Sequence, residues 1–489
     1  MSSRYDLVVL GGGAAGLVAA QTAAALGARV VLVEPQEQPG GDCLFTGCVP
    51  SKSLLASAKL AHDMRTADRL GLESRDPKPD LARVMDRVQQ VIDRAGEPDT
   101  PAALAEKGVE VLRGAGRFAE AGRIEVGERT LGYRAALIAT GSVPAIPDLP
   151  GLRDADPLTN ETVFDLRELP KRLAVLGGGP VGVELAQAFA RLGARVEIVE
   201  ASGTLLPKEE HEAGRFIGSV LEEEGVQVHT GSPAERVESG EGGGSGRLVT
   251  AEGNEIGYDR LLVALGRRAV TGDLGLETVG VETTADGAVR VDERLRTTGD
   301  RIFAAGDVVG QLYFTHVAAY HGLVSASNAL FRTRLKVDYK QVPWVTFTDP
   351  EVARVGMSEA QATERLGRPP LVFRHDYARS DRALTAAEAR GFAKLVTDRR
   401  GRMLGGTLVG PAAGESIAGV ARLVRDRGRV SELSQTIHAY PTFTEVPARA
   451  ADEWWQRRYL TPTTRRLMRP LLAIARRVDH PRGRARAGT

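Results

Sequence analysis

Residues 40–52, Gly-Gly-Asp-Cys-Leu-Phe-Thr-Gly-Cys-Val-Pro-Ser-Lys, contain both cysteines of this 489-residue chain. A protein that used cysteine for packing or for structural disulfides would distribute it, whereas here both lie in one glycine-flanked turn. Pro50 and the run Ser51–Leu60 predict a helix that begins at this turn, with Cys48 at its N-terminus. There the helix dipole lowers the pKa of the thiol, and Lys52 adds a positive charge one turn later. The two cysteines are therefore predicted to be reactive.

Length and composition limit the possible fold classes. The chain is long enough for roughly two to four domains, and 42% hydrophobic residues with 56 glycines suit an α/β protein with many tight turns. No apolar run approaches the roughly 20 residues that span a bilayer, and no signal peptide is expected, so a cytoplasmic location is predicted. From residue 453 onwards ten arginines accompany two acidic residues. Because the basic charge lies in this tail, nucleic-acid binding is not expected. No second Cys or His pair lies near the cysteines, so no metal site is predicted.

The N-terminal region has the pattern of a dinucleotide-binding unit. The strand Tyr5–Leu10 enters a Gly-Gly-Gly-Ala-Ala-Gly turn and an alanine-rich helix, and the next strand ends in Glu34. In this context Gly11 makes the turn, Gly13 lets the backbone approach a pyrophosphate, and Gly16 permits close packing of helix and strand. Glu34 can accept a hydrogen bond from a ribose 2′-hydroxyl.

The same pattern occurs a second time. The strand Leu173–Leu176 leads to Gly177, Gly179 and Gly182, and the following strand ends in Glu200. Such an internal repeat predicts a second dinucleotide-binding domain. A carboxylate at Glu200 accepts from a free 2′-hydroxyl and repels a 2′-phosphate, so NADH is expected to be preferred over NADPH.

Other strand ends are candidates for nucleotide contacts. One buried strand stops at Thr140 and Gly141, and another closes the second repeat at Gly266. A third ends at Asp307, shortly before a helix that Thr315 opens. The region from about 339 to 449 alternates strands and helices without a phosphate turn, which predicts an α+β layer.

The Gly-Gly-x-Cys-x-x-x-Gly-Cys-Val-Pro-Ser-Lys motif, with the order of landmarks from about residue 5 to 453, resembles the flavoprotein disulfide reductases. This is the family of glutathione reductase, dihydrolipoamide dehydrogenase and mercuric reductase. The resemblance implies an α/β fold with two Rossmann-like dinucleotide-binding domains, for FAD and NAD, and an α+β C-terminal dimerisation domain. The implied divisions are an FAD domain (1–150), an NAD domain (151–270), a part completing the FAD domain (271–340), the dimerisation domain (341–452) and a basic tail (453–489).

The resemblance also implies roles for single residues. Lys52 would lie beside flavin N5, paired with Glu184, and electrons would pass from NADH through the flavin into a Cys43–Cys48 disulfide. Cys48 would form the charge-transfer thiolate and Cys43 the interchange thiol. FAD would be held by Gly11, Gly13, Gly16, Glu34, Gly116, Thr140, Gly141, Asp307 and Thr315. NAD would be held by Gly177, Gly179, Gly182, Glu200 and Gly266.

Departures from the family pattern bear on the electron acceptor. Members that exchange disulfides carry His-Pro followed by a glutamate, an acid/base pair from the other subunit, whereas this chain has Tyr440 before Pro441 and keeps Glu445. Tyrosine, with a pKa of about 10, is a poor proton shuttle at neutral pH, which disfavours dihydrolipoamide dehydrogenase activity. Tyrosine here resembles mercuric reductase, although that enzyme also has a C-terminal cysteine pair. Asp42 and Phe45 replace the usual Thr and Asn beside the first cysteine.

The sequence thus predicts a homodimeric, FAD-dependent, NADH-preferring oxidoreductase that resembles mercuric reductase, with an active site shared between subunits. The acceptor is a soft metal ion, a quinone or a disulfide. Dihydrolipoamide dehydrogenase and a redox sensor without sustained turnover are the alternatives. In the tail, apolar and arginine residues predict a basic amphipathic helix that Pro470 interrupts, either packed on the dimer or in contact with an anionic membrane surface.

Overall fold

The structure is a computed structural model, and it describes residues 4–240 and 244–478. The chain divides into two compact units, Met1–Asp349 and Pro350–Thr489. This division lies close to the predicted boundary between residues 340 and 341, and the finer boundaries remain predictions. The end of the predicted tail, residues 479–489, lies outside the described residues.

The elements are numbered in chain order. The strands are β1 (Arg4–Leu10), β2 (Val30–Glu34), β3 (Val109–Arg113), β4 (Gly116–Glu120), β5 (Arg123–Val126), β6 (Arg129–Ile138), β7 (Ser142–Pro144), β8 (Arg172–Leu176), β9 (Arg195–Glu200), β10 (Gln227–Thr230), β11 (Ala234–Ser239), β12 (Gly246–Thr250), β13 (Glu255–Tyr258), β14 (Arg260–Val263), β15 (Arg267–Ala269), β16 (Ile302–Ala304), β17 (Pro343–Thr346), β18 (Glu351–Gly356), β19 (Leu371–Asp376), β20 (Phe392–Thr397) and β21 (Met403–Gly410). The α-helices are α1 (Ala14–Ala25), α2 (Gly41–Phe45), α3 (Cys48–Arg65), α4 (Leu81–Gly96), α5 (Pro101–Glu106), α6 (Pro180–Leu192), α7 (His211–Glu223), α8 (Thr315–Phe331), α9 (Glu359–Leu366), α10 (Asp381–Thr385), α11 (Ala413–Asp426), α12 (Val430–Gln435), α13 (Glu445–Tyr459) and α14 (Pro462–Val478).

The first sheet of unit 1 has the order β3-β2-β1-β6-β5-β4. Strands β3, β2, β1 and β6 are parallel, and the apolar runs of β1, β2 and the second half of β6 are buried on both faces, as is usual for parallel strands. The long strand β6 pairs antiparallel with β5 along its first half and parallel with β16 along its second. A strand that follows the second repeat therefore returns to complete the first sheet.

The second repeat forms its own parallel sheet in the order β10-β9-β8-β14. Helix α6 connects β8 to β9, as α1 connects β1 to β2. The predicted internal repeat is confirmed as two β-α-β units, and the α/β fold class is confirmed. Strands β11, β12 and β13 form an antiparallel sheet beside this unit.

The alanine-rich sequence of α1 is explained by its packing against α8. Ala19, Ala20 and Ala23 are fully buried in the cluster that contains residues of both helices. A Cβ added at Gly322 of α8 would lie 2.4 Å from the carbonyl oxygen of Ala15. Small residues therefore bring the two helices close together beneath the first sheet.

Unit 2 contains an antiparallel arrangement in the order β18-β21-β20-β19, followed by helices α11 to α14. The tail helix α14 continues through Pro470, so the predicted interruption there is wrong. Proline removes one backbone donor, and the strong helix formers around it maintain the remaining turns. Within the described ranges, no helix combines the length and apolarity needed to cross a membrane.

Candidate active site

The two cysteines lie at the junction of α2 and α3. Cys43 is in α2 and Cys48 is the first residue of α3, so the prediction that Cys48 lies at a helix N-terminus is confirmed. Gly41 has a left-handed φ of 61°, and a Cβ there would lie 2.6 Å from Gly13 Cα. The turn that carries the cysteines (the redox turn, residues 40–48) therefore lies directly against the first glycine turn, and a side chain at Gly41 would force them apart.

The two cysteines are free thiols whose side chains interact. The pKa of Cys48 is lowered to about 6, chiefly by a hydrogen bond from Cys43. Burial raises this pKa, while the Thr315 hydrogen bond and the Lys52 charge lower it further. The same hydrogen bond, together with burial, raises the pKa of Cys43 well above its ordinary value. Cys48 Sγ lies 3.4 Å from the hydroxyl oxygen of Thr315, which begins α8. At neutral pH the pair therefore holds one thiolate, on Cys48, and one thiol.

Lys52 and Glu184 form an ion pair between α3 and α6. Lys52 Nζ lies 2.6 Å from Glu184 Oε2, and Glu184 Oε1 accepts a hydrogen bond from the Phe347 amide at 2.8 Å. The Glu184 side chain is 7% exposed and that of Lys52 is 35% exposed. Both carboxylate oxygens are therefore satisfied, which makes a buried charge in the apolar helix α6 tolerable. The structure brings together the two residues that the sequence resemblance paired.

A polar network beside Cys43 was not predicted from the sequence. Asp42 accepts hydrogen bonds from Thr46 Oγ1 at 2.6 Å and Asn160 Nδ2 at 2.9 Å, and Arg267 Nη2 lies 3.3 Å from its other oxygen. Arg267 also donates to Ser142 Oγ at 2.7 Å, and Ser142 Oγ donates to Asp307 at 2.6 Å.

The network links the redox turn to the strand end that carries Asp307. Burial raises the pKa of the Asp307 carboxyl, while Ser142 and Arg267 oppose this rise. One indication of this network was present in the sequence, because Asp42 replaces the threonine that is usual beside the first cysteine. Asn160 and Arg267 carry no such signal because they come from distant segments.

The two acidic residues predicted to hold riboses have equivalent surroundings. Glu34 Oε2 accepts from the Gly12 amide at 2.6 Å, and Glu200 Oε2 accepts from the Gly178 amide at 2.7 Å, each across 22 residues. The second oxygen of each accepts a backbone amide two residues further along the chain. Both carboxylates are therefore fixed against the middle glycine of their turn.

The first glycine turn has the shape that a dinucleotide requires. A Cβ at Gly11 would lie 2.3 Å from the Ala139 carbonyl oxygen, and one at Gly16 would lie 1.9 Å from that of Gly11. At Gly13 the nearest atom is Gly41 Cα at 3.9 Å, so this backbone is open to a ligand. The first and third glycines thus close the turn and the second leaves room for phosphates.

The second turn repeats this arrangement. A Cβ at Gly177 would lie 2.5 Å from the Ala264 carbonyl oxygen, one at Gly182 would lie 1.9 Å from that of Gly177, and one at Gly179 would meet nothing within 4 Å. Gly266, at the neighbouring strand end, has a left-handed φ of 117° and also faces open space.

The remaining predicted FAD contacts are placed as follows. Thr140 Oγ1 donates to the Val270 carbonyl at 2.6 Å, and Gly141 has a φ of 74° with nothing near its Cβ position. Gly116 begins β4, where a Cβ would lie 2.5 Å from the Leu10 side chain. Gly116 therefore packs closely against the Leu10 side chain, and a larger residue there would have to displace it.

The chain matches a known protein family over most of its length. The family described as pyridine nucleotide-disulphide oxidoreductase matches residues 5–322, and its dimerisation domain matches residues 342–451. The chain belongs to this family. As a pyridine nucleotide-disulphide oxidoreductase it is an enzyme in which FAD takes electrons from NAD(P)H and passes them to a disulfide. The dimerisation domain indicates a homodimer.

Individual members of the family are similar over nearly the whole chain. Mercuric reductase of Streptomyces lividans is 38% identical over 458 residues, 91% of this chain and 95% of that protein. Dihydrolipoyl dehydrogenase of Thermus scotoductus is 38% identical over 454 residues, 92% of this chain and 97% of that protein. The Cu(II) complex of the HOCl-induced flavoprotein disulfide reductase RclA from Escherichia coli superposes with a TM-score of 0.81 at 28% identity, covering 92% of this chain and 99% of that one.

In the dimerisation domain of this oxidoreductase, Tyr440 and Glu445 have separate partners. The Tyr440 hydroxyl donates a hydrogen bond to Asp381 Oδ2 at 2.5 Å, and this bond raises the pKa of Tyr440. Glu445 is buried and lies 3.3 Å from Arg449 Nε. Among the described residues no hydrogen bond joins Tyr440 to Glu445. Asp381, 59 residues before Tyr440, was not predicted from the sequence.

Proposed function

We propose that this protein is an NADH-preferring reductase of a soft metal ion, with Cys43 and Cys48 as the groups that meet the acceptor. One NADH supplies two electrons and leaves as NAD⁺, one divalent ion such as Hg(II) takes up both electrons and leaves as the metal, and one proton is released. The observation that carries this proposal is the unequal thiol pair. Cys48 ionises with a pKa of about 6 and Cys43 is its hydrogen-bond donor.

The chemistry of the two sulfurs supports a metal acceptor. Thiolates are soft ligands that select soft metal ions over the hard cations that oxygen ligands bind. Reduction of a disulfide substrate also needs a proton for each leaving sulfur, and Tyr440 is a weak source of it because Asp381 raises its pKa. A bound metal ion needs no such proton. The similarity to the mercuric reductase of Streptomyces lividans agrees with this choice.

Other residues of the chain have positioning roles in this proposal. FAD would lie on the first glycine turn, with Glu34, Asp307 and Thr315 at its polar groups. The Lys52–Glu184 pair would hold a fixed positive charge beside the flavin, and the Asp42–Arg267 contact would hold the redox turn in place. The tyrosine at 440 and Glu445 would reach the thiols of the partner subunit in the homodimer.

Glu200 supports the preference for NADH. Its carboxylate is held by the Gly178 amide at the strand end of the second repeat, where a 2′-phosphate would meet a negative charge. We expect kcat/KM to be higher with NADH than with NADPH. A higher value with NADPH would overturn this part of the proposal.

The cytoplasm is the proposed location. Two arrangements of the tail are proposed, which are packing on the dimer and contact with an anionic membrane surface. Helix α14 supports surface contact because five of its apolar side chains are exposed next to arginines; they are Leu467, Met468, Leu471, Leu472 and Ile474. Flotation of full-length and tail-deleted protein with anionic vesicles tests it, and equal flotation of the two would exclude the membrane role.

An anaerobic NADH titration followed by a panel of acceptors tests the main proposal. The panel contains Hg(II), Cu(II), lipoamide, quinones and low-molecular-weight disulfides. We expect sustained NADH oxidation with the soft metal ions, lost in Cys43→Ser and in Cys48→Ser. The Thermus scotoductus relative favours dihydrolipoamide dehydrogenase as the second candidate. Turnover with lipoamide and none with metal ions would replace the first proposal with the second, and a single turnover with every acceptor would favour a redox sensor.

A further inference from the structure

We propose that a cavity in unit 1, separate from the dinucleotide sites, binds a phosphorylated organic anion of about nucleotide size. The cavity has a volume of about 890 Å³ and is bounded by the segments 290–303 and 328–334. Cavities of this size commonly hold small organic ligands. Its charged lining has two aspartates against six arginines, which are Arg290, Arg294, Arg296, Arg301, Arg332 and Arg334.

The cavity lies away from the redox turn. Thr315, which contacts Cys48, begins helix α8, whereas Asn328 lies in the last turn of this 17-residue helix and borders the cavity. At 1.5 Å per residue the helix is about 25 Å long. Ile302 and Phe303 of β16 form part of the cavity wall, and Asp307 follows the opposite end of the same strand. The cavity is therefore distinct from the predicted FAD site.

Some of the arginines already have partners. Arg296 pairs with Asp292, and Arg301 donates to the carbonyl oxygens of Arg134 and Ala329 at 3.1 and 2.9 Å. Through these bonds Arg301 satisfies a carbonyl at the C-terminal end of α8, a structural role.

Arg290 lies 3.6 Å from Glu282, so the surplus positive charge comes from the remaining three arginines. Over residues 4–240 and 244–478, the guanidinium groups of Arg294, Arg332 and Arg334 take part in no ion pair. Mutual repulsion from Arg332 and Arg134 adds to burial in lowering the pKa of Arg301. A multiply charged anion would relieve this repulsion, and guanidinium groups bind phosphate with two parallel hydrogen bonds.

Asn328 holds the arginine-bearing segments in place. Its side chain is 4% exposed. The amide nitrogen donates to the carbonyl oxygens of Arg294 and Leu335, each at 3.0 Å. The amide oxygen accepts from Thr333 Oγ1 at 2.7 Å and from the Leu335 amide at 3.1 Å. One buried amide thus ties together the backbones of the two segments on which Arg294, Arg332 and Arg334 lie, so the positions from which these side chains extend are fixed.

The backbone adds a second sign of constraint. Leu295, Arg301 and Arg332 have left-handed φ angles of 62°, 61° and 53°. Residues other than glycine seldom adopt this conformation, so it persists only where the surrounding contacts hold it. Ile302 and Phe303 border the cavity but are only 1% and 6% exposed, so they offer a ligand little apolar surface. The volume of about 890 Å³ is typical of sites for small organic ligands, so together with the surplus cations it favours an organic phosphate over a simple inorganic anion.

Isothermal titration of the FAD-loaded dimer, saturated with NAD⁺, tests this site. The probes are ATP, inorganic tripolyphosphate and adenosine. We expect ATP to bind once per subunit and more tightly than tripolyphosphate, and adenosine not to bind. In Arg294→Gln/Arg334→Gln the affinity for ATP should fall at least about tenfold, since two charged hydrogen-bond donors to phosphate are lost. The KM for NADH should not change.

Two further variants serve as controls, one that keeps the charge at the site and one that removes arginines elsewhere. Arg294→Lys/Arg334→Lys keeps the charge and should bind ATP with intermediate affinity. Arg117→Gln/Arg123→Gln removes two exposed arginines of β4 and β5 and should bind ATP like the wild type. The proposal is wrong if the wild type does not bind ATP, if NADH displaces it, or if all three variants bind it equally. Equal affinities for ATP and tripolyphosphate would show that the site binds anions in general and would contradict the proposal of an organic ligand.

Discussion

Lys52 of α3 and Glu184 of α6 form an ion pair of 2.6 Å that connects the redox turn to the second nucleotide-binding repeat. The Lys52 ammonium group also lies 4.4 Å from the centre of the Phe347 ring. Glu184 accepts from the amide of that same residue, so lysine, carboxylate and ring hold one another. Any movement of α6 relative to α3 would therefore displace the charge next to Cys48.

Substitution of Glu184 by glutamine tests this pair. Glutamine is nearly the same size as glutamate, so the variant Glu184→Gln removes the charge while keeping an oxygen for the Phe347 amide. We expect a loss of about 1 kcal/mol of stability, at the low end for charged hydrogen bonds because Lys52 is partly exposed. Thermal unfolding measures this loss. Glu120→Gln, which breaks an exposed pair with Arg123, should leave the melting temperature unchanged. Equal shifts in the two variants would contradict the role of the pair.

The unequal ionisation of the cysteines predicts a pH profile for alkylation. In the reduced enzyme the rate of iodoacetamide reaction should follow the Cys48 thiolate, with a midpoint near the pKa of about 6. Cys43→Ala removes the hydrogen bond that contributes most to this pKa, so the midpoint should rise towards the ordinary value. Cys43→Ser keeps a donor and should shift it less. A midpoint that is the same in wild type and Cys43→Ala would show that the helix N-terminus and Lys52 suffice.

The tyrosine at 440 predicts which substrates the enzyme turns over poorly. Tyr440→His would supply an imidazole with a pKa near neutrality, and general acid/base catalysis typically contributes about 10²–10⁴-fold. We expect lipoamide reduction to rise at least about tenfold in this variant, with metal-ion reduction little changed. Tyr440→Phe serves as the control and should raise neither activity. Unchanged lipoamide turnover in Tyr440→His would show that the proton donor is not what limits disulfide substrates.

Buried His321 predicts a pH dependence of stability. The Gly306 amide donates to its Nδ1 at 3.2 Å, and its Nε2 lies 2.9 Å from the Tyr339 hydroxyl oxygen. Burial lowers its pKa from 6.5 to about 4, so the imidazole is neutral in the folded protein. As pH falls below 6.5, His321 binds a proton in the unfolded chain but stays neutral in the folded protein. The free energy of unfolding therefore declines until about pH 4, where the folded protein is protonated as well.

The size of this decline is about 3 kcal/mol by linkage. Thermal unfolding between pH 7 and 4 should show a shallower decline in His321→Gln than in the wild type. His438→Gln is the control, since this residue is on the other unit and only half-buried. Parallel curves for wild type and His321→Gln would contradict a neutral buried imidazole.

Local patterns were the part of the site that the sequence predicted well. Cys48 at a helix start follows from the glycine and proline around it, and the two glycine turns follow from strand, turn and helix in succession. Arg267 and Asn160 were missed because they reach Asp42 from segments more than a hundred residues away. Asp381 was missed for the same reason, since its contact with Tyr440 depends on how the start of α10 packs against a segment 59 residues later.

The sequence alone determined the class of chemistry, because two cysteines in a glycine-rich turn and two nucleotide-binding repeats follow from the residues that lie next to each other in the chain. The tertiary structure decided which charges meet. The pairing of Lys52 with Glu184 was inferred from a resemblance. That both oxygens of Glu184 have hydrogen-bond partners is known only from the folded protein. The arginine-lined cavity held together by Asn328 has no sequence motif. Charges from distant segments act on each other only after folding brings them within a few ångströms, where burial removes the water that would otherwise screen them.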